Sequence, residues 1–420
     1  MILAVPPDRG ELPRIFFFNM GGGPRVSGSG LGFTEGGLVH AVQSFVPLSS
    51  TYDVTVVCPN TPGADANTEA DFHGVHISCP ALPGAVKWMR PGELSVIEHP
   101  LRVLLNWPSM VAGFIAQARR VVRDDADVVL GNGVFTAYLC GLKRGRWVTV
   151  AVIHHLYQDP WTTGAQSAPS GFYARMERFL LRRLHADAIA VVNPSVASHL
   201  VQYGFPPEQV FFVGNGVDAD RYAFSANHDE ESLVFVGRLR SAKAVDVVLD
   251  AFAIIHHQRP EAVLHIVGDG LLMGSLVSRA AKLGIRKRVV FHGCMGEEAK
   301  LQLLSRATLY LSASRFEGFG LPVVEALAVG AVPVLSDIPA HRYILQGRDV
   351  GRLTATTEEM AARSLELLAD PRRRMAMAVA GRELVEQMWT WNDVAERYRR
   401  MIEWLLSARP ALGGHGAHGT

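Results

Sequence analysis

Residues 309–328 read LYLSASRFEGFGLPVVEALA, and this stretch decides the fold. Four strand-forming residues, Leu309–Ser312, run into a polar loop carrying Gly318 and Gly320. An apolar helical run then opens with Pro322 in its first turn, where a missing N–H costs nothing. A strand that feeds a helix through a short loop is half of a parallel βαβ unit. The same rhythm extends in both directions. Strand candidates are Ile15–Phe18, Val54–Val57, Val128–Leu130, Val148–Ile153, Ala188–Val192 and Val210–Val213, then Leu233–Val236, Val263–Val267, Val289–Phe291 and Val332–Leu335. Helix-length amphipathic stretches separate them. Two such series predict an α/β protein with two Rossmann-like, doubly wound parallel-sheet domains. The boundary falls near residue 217, where Asn215-Gly-Val-Asp218 and the polar stretch Ser225 to Glu231 collect turn and loop residues. Beyond Leu335 the pattern is helical. From Trp391 to Ser407 it places Trp391, Val394, Ala395, Tyr398, Ile402 and Leu405 on one face. The tail from Arg409 to Thr420, rich in Gly, Ala and His, reads as disordered.

Composition excludes several classes. The chain has 420 residues, 48% hydrophobic and 19% charged, enough for about two domains at roughly 100–200 residues each. A net charge of +1 removes the broad positive field of a nucleic-acid binder. The N-terminal residues lack a basic signal region, and no run of about 18 apolar residues occurs, so a cytoplasmic, non-spanning protein is expected. Cys58, Cys79, Cys140 and Cys294 lie far apart without a CxxC pair and read as reduced, buried thiols. Residues 86–123 carry six basic residues against Glu93 and Glu98, interleaved with Trp88, Met89, Trp107, Met110 and Phe114. Their composition suits a weak peripheral contact with a membrane at the acceptor side.

The chemistry concentrates at strand ends. The helix that opens around Pro322 offers unpaired N–H groups near Gly320, Leu321 and Val323, with Phe319 in the loop before it, to an anionic ligand. Glu325 lies one turn in, and helical side chains lean back toward the N-terminus; its two oxygens suit a ribose diol. Glu317, on the loop, suits sugar hydroxyls. Upstream, strand Leu233–Val236 delivers Gly237-Arg-Leu239 and Lys243, a planar fork and a point charge able to neutralise a diphosphate. Strand Val148–Ile153 delivers His154 and His155, of which His154 is chosen as a hydrogen-bond donor or proton shuttle. After the first strand, either Gly22 and Gly23 or Gly36 and Gly37 would form a close-approach pair. Asp125-Ala-Asp127 and Asp218-Ala-Asp220 sit in a turn and in the interdomain loop, contexts that suit no essential metal.

Gly237-Arg-Leu with Lys243, Ile266-Val-Gly-Asp-Gly270, Val289-Val-Phe-His-Gly293, the block from Ser312 to Glu325 and Asn215-Gly-Val-Asp218 occur in the order and spacing of group-1 glycosyltransferases. The chain thus resembles the retaining enzymes of glycosyltransferase family 4, of the GT-B fold. The match runs from about Ala188 to Leu345, and Trp391 resembles the Trp of the family's closing helix. The resemblance implies two domains facing a cleft: residues 1–216 for the acceptor, joined by a crossover helix 389–408, and residues 217–388 for a nucleotide-diphosphate sugar donor, with 409–420 as the tail. It implies that Arg238 and Lys243 grip the diphosphate, that Glu325 binds ribose, and that Glu317 contacts the transferred sugar. Ala244 stands where the family usually has Gly. The expected activity is hexosyl transfer to a glycan, lipid or small molecule, without a metal cofactor. Two other classes would keep the same binding residues: a sugar-nucleotide epimerase and a non-catalytic nucleotide-sugar-binding protein.

Overall fold

The computed structural model describes residues 12–19, 25–27, 30–32, 36–58, 68–79, 126–142, 147–156, 169–226, 228–229 and 231–412. Two sheets dominate. The first contains β1 (Arg14–Asn19), β4 (Asp53–Val57), β5 (Thr68–Phe72), β6 (Val75–Cys79), β7 (Val128–Asn132), β8 (Val148–Ile153), β9 (Ala188–Val191) and β10 (Val210–Phe212). Their order is β10-β9-β8-β7-β1-β4-β6-β5. All pairs are parallel except β5 with β6. β2 (Arg25–Ser27) and β3 (Gly30–Gly32) form a separate antiparallel pair. The second sheet holds β11 (Ser232–Val236), β12 (Val263–Val267), β13 (Val289–Gly293), β14 (Leu309–Ser312), β15 (Val332–Ser336) and β16 (Arg352–Thr354), in the order β13-β12-β11-β14-β15-β16 and parallel throughout. Every residue of β8 and of β14 is buried, which explains their unbroken apolar or small-residue runs: helices cover both faces.

The expected strands are present, and three kinds of element are additional. β5 and β6 are joined by His73-Gly74, both at positive φ (50° and 82°), the geometry of a two-residue hairpin turn. β16 is only three residues long, too short for a periodicity to register, and β2 and β3 are equally brief. Cys58 and Cys140 are buried as expected, but Cys294 is exposed because it follows edge strand β13. The final helix, Trp391–Leu412, continues into the segment expected to be disordered. Ala408, Arg409, Ala411 and Leu412 favour helix while Pro410 opposes it, and Gly413-Gly414 follow where a helix would stop; residues 413–420 lie outside those described.

That helix packs on the first sheet's domain although it comes last in sequence. Val394, Ala395, Tyr398, Ile402 and Leu405 are all at most 2% exposed. Tyr398 lies against Phe45 with ring centroids 5.0 Å apart, and Trp404 against Phe211 at 5.2 Å. The chain therefore passes between domains twice, and the two passages touch. The Val217 amide donates to the Trp389 carbonyl at 2.8 Å, and Val217 bridges Thr390. A β-carbon on Gly216 would lie 2.6 Å from the backbone of Thr390 and of Trp391, so the two passages could not sit this close with any other residue there. Gly216→Ala is expected to cost about 1–3 kcal/mol by overpacking, read as a lower Tm by circular dichroism. An unchanged Tm would show that the crossing spreads freely.

Candidate active site

β11 lies between β12 and β14, so its carboxyl end is a switch point where successive connections leave in opposite directions, the place where open α/β sheets hold ligands. Two backbone loops are pressed together there. A β-carbon on Gly268 would fall 2.0 Å from the Gly237 carbonyl oxygen, and the Leu239 amide donates to the Asp269 carbonyl at 2.9 Å. This contact fixes the Gly237-Arg238-Leu239 segment and accounts for the glycine of the 266–270 motif. The chain then makes a short 3-10 turn, Ser241–Lys243, and enters helix Val245–Gln258 through Ala244, buried at φ 45° and ψ 47°. That is the left-handed conformation, costing an alanine roughly 1–2 kcal/mol, which explains a preference for glycine at this position.

Lys243 and Glu317 form an ion pair. The ammonium lies 2.6 Å from both carboxylate oxygens, and the Ser314 hydroxyl donates to Oε1 at 2.7 Å. Ser314 is itself held, since its carbonyl accepts from the Ser336 hydroxyl at 2.5 Å. Burial alone would raise the Glu317 carboxyl; Lys243, with help from His341 and Ser314, outweighs it and holds the carboxyl below its ordinary value. Glu317 is therefore a carboxylate at neutral pH.

The first domain supplies the facing wall. Asn193 caps helix Pro194–Gln202 through Oδ1, and its Nδ2 donates to the Glu317 carbonyl at 3.0 Å. A β-carbon on Gly318 would sit 3.2 Å from the His154 carbonyl oxygen. Loss of hydration and, to a lesser extent, the Arg238 guanidinium lower the pKa of His155. His154 Nε2 is buried with no hydrogen-bond partner among the described residues, and its ring meets His40 edge-on, centroids 4.8 Å apart. Burial, then His40 and His155, push His154 well below the usual imidazole range. His40 is wired to both interdomain passages: Nδ1 lies 2.5 Å from Asn215 Oδ1 and Nε2 lies 2.8 Å from the Tyr398 hydroxyl. Burial holds it at about 4.

Helix Leu321–Val329 starts at Gly320, φ 104°. Glu325 is buried; its Oε1 accepts from Lys300 Nζ at 3.0 Å and lies 3.1 Å from the Tyr222 hydroxyl oxygen. Two expected donor contacts need correction. The Phe319 side chain turns into the core, edge-on to Trp389 at 5.6 Å. The Val323 amide is already used, donating to the Gly320 carbonyl at 2.9 Å, so the open amides of this terminus are those of Gly320 and Leu321. Gly22 and Gly23 lie outside the described residues, whereas Gly36 and Gly37 open helix Gly36–Gln43. Asp127 Oδ2 accepts from the Arg14 amide at the start of β1, a tie between distant segments, and Asp218 Oδ1 from the Arg221 amide within a turn, each at 3.1 Å. Asp125 and residues 86–123 are outside those described. Sequence reasoning missed Asn193, His40, Tyr222, Glu297 and Lys300. Glu297 and Lys300 read as an ordinary surface pair at i,i+3, and only the fold reveals that Glu325 lies beneath them.

Comparisons with known proteins point the same way. A family model described as glycosyl transferases group 1 matches residues 217–384, and one described as glycosyltransferase family 4 matches 48–221. A GDP-mannose-dependent alpha-(1-6)-phosphatidylinositol monomannoside mannosyltransferase of Mycolicibacterium smegmatis is 25% identical over 413 residues, covering 90% of this chain and 97% of that protein. Glycogen synthase of Mycobacterium tuberculosis is 27% identical over 241 residues, 56% of this chain and 57% of that one. Among solved structures, sucrose-phosphate synthase from Thermosynechococcus elongatus superposes with a TM-score of 0.73 at 16% identity, covering 94% of this chain and 100% of the other. Anabaena HepE, in complex with UDP and glucose, gives 0.68 at 18%, with 94% and 100% covered. Two parallel-sheet α/β domains with these structural neighbours define the GT-B fold, and the family models and relatives make the chain a glycosyltransferase. The chain belongs to the group-1 glycosyltransferases, of family 4 type.

Proposed function

We propose that this enzyme transfers a hexosyl unit from a nucleotide-diphosphate sugar to a glycan, lipid or small-molecule acceptor with retention of anomeric configuration. The observation that carries this reading is the Lys243–Glu317 pair at the switch point, faced across the cleft by His154, His155 and Asn193. In this reading Arg238, Lys243 and the amides of Gly320 and Leu321 stabilise charge on the leaving diphosphate. Glu325 holds the ribose. Glu317, ionised, sits where positive charge builds on the sugar. His154, kept neutral, acts by hydrogen bonding; its low pKa argues against a proton shuttle near neutral pH. The named relatives are transferases, which favours transfer over epimerisation or binding alone.

Thermal-shift titration with UDP, GDP and ADP tests the site, since a ligand stabilises in proportion to its affinity; a flat response to all three would overturn it. No cation is needed where Arg238 and Lys243 face the diphosphate, so activity is expected to survive excess EDTA. Loss of activity that magnesium or manganese restores would show the phosphate assignment to be wrong. No helix among the described residues is long and apolar enough to cross a membrane. A cytoplasmic location with weak contact at the inner membrane face through residues 86–123 is supported by that segment's basic and aromatic composition and by the phosphatidylinositol acceptor in the name of the mycobacterial relative.

A further inference from the structure

The two oxygens of Glu325 have different surroundings. Oε1 faces Lys300 and Tyr222, whereas Oε2 is buried and has no hydrogen-bond partner among the described residues. A tyrosine hydroxyl has one proton, and the Tyr222 hydroxyl makes its shorter contact with Glu297. The donor that serves Glu325 is therefore Lys300, which also holds Glu297 at 2.9 Å. Two carboxylates share one ammonium that is itself only 15% exposed, and each of the three sits on a helix fixed by packing. Tyr222 belongs to the segment just past the interdomain passage, and its carbonyl accepts from Arg382 at 2.6 Å.

We propose that Lys300 is the positioning residue of the nucleotide site: by engaging Oε1 it holds Glu325 turned so that Oε2 stays open to the ribose hydroxyls of the donor. The proposal rests on the assignment of Glu325 to the ribose and deepens it. Without an ammonium at Oε1 the carboxyl would be a buried acid beside a second carboxylate, and burial favours its neutral form. The groups that face it are Lys300 and Glu297 from helix Glu297–Arg306, Tyr222 from the linker side and Tyr310 from β14. Only Lys300 is cationic. Burial, the largest influence, already holds Glu325 above the ordinary carboxylate value, Lys300 pulls it down and Glu297 pushes it up. Removing Lys300 moves it further up, so the variant should bind donor less well toward low pH and recover as pH rises.

The test is calorimetric titration of the nucleoside diphosphate selected by the thermal-shift panel, against wild type, Lys300→Met, Lys300→Arg, Glu325→Gln and the Lys300→Met/Glu325→Gln double variant, across about pH 6.5–9. Relative to wild type at each pH, Lys300→Met should bind about tenfold or more weakly at the acid end, the loss expected for a hydrogen bond to a charged group, and approach wild type at the alkaline end. Lys300→Arg should restore binding throughout. In the Glu325→Gln background, Lys300→Met should add little, because the two act as one unit. A loss independent of pH, or additive with Glu325→Gln, would overturn the positioning role while leaving the ribose assignment standing. Normal binding by Glu325→Gln would instead overturn that assignment, and the inference with it.

Discussion

Lys243→Ala should lower kcat by about 10²- to 10³-fold, the loss seen when a preorganised group that stabilises a developing oxyanion is removed. The structure makes the expectation sharper than a lost surface charge. Lys243 bonds both oxygens of Glu317 at 2.6 Å, so its removal withdraws the cation from the diphosphate and leaves a carboxylate in the cleft without its counter-charge. Glu317 is held below its ordinary value by Lys243 against the opposing effect of burial. With Lys243 gone, burial prevails and the carboxyl titrates at higher pH. The acid limb of the pH–kcat curve should therefore move upward in Lys243→Ala, and Lys243→Arg should keep it near wild type. Steady-state kinetics across pH, with circular dichroism as the folding control, decides the matter; near-normal turnover and an unmoved acid limb would reduce Lys243 to a structural partner.

Glu317→Gln should fall chiefly on kcat, by about 10- to 150-fold, corresponding to roughly 1.5–3 kcal/mol for interactions with a charged group. The amide keeps the shape and can still accept from Ser314, but it carries no charge toward a sugar that becomes positive in the transition state. It also releases Lys243. Nucleotide affinity should hold steady or rise, because an ammonium no longer neutralised by Glu317 is more fully available to phosphate. Glu325→Gln should show the opposite split, with weaker donor binding. Donor titration by calorimetry beside kinetics for both variants checks this. Poor binding by Glu317→Gln together with slow turnover but normal binding by Glu325→Gln would exchange the two roles.

The central parallel strands were legible because they are covered on both faces, so β8, β11, β14 and β15 register as compact apolar or small-residue runs whatever their neighbours. The switch point was legible for a related reason: strand ends carry loops, and Arg238, Lys243 and Glu317 stand out against glycine. What was illegible depends on distant parts of the chain meeting. Tyr222, Glu297, Lys300 and Glu325 span more than 100 residues, and nothing local marks Lys300 as buried. Asn193 announces a helix cap, but its second bond, to the Glu317 carbonyl, comes from the other domain. The β5–β6 hairpin had a signal in His73-Gly74, but strand-like runs rich in His, Asp and Glu hide an edge that lies partly in solvent. Phe319 was misassigned because a loop residue between two glycines looks available, while Trp389, seventy residues on, receives its ring.

The helix Trp391–Leu412 completes a domain that begins near residue 14. During synthesis, the pocket lined by His40, Phe45 and Phe211 stays uncovered while the whole second domain emerges, and that domain has every strand it needs before the ribosome reaches Tyr398. The domain made first is thus finished last, contrary to the usual N-to-C order of folding. A gene divided at codon 217 would not yield two working halves: the leading half would lack its covering helix, and the trailing half would carry it with nothing to cover.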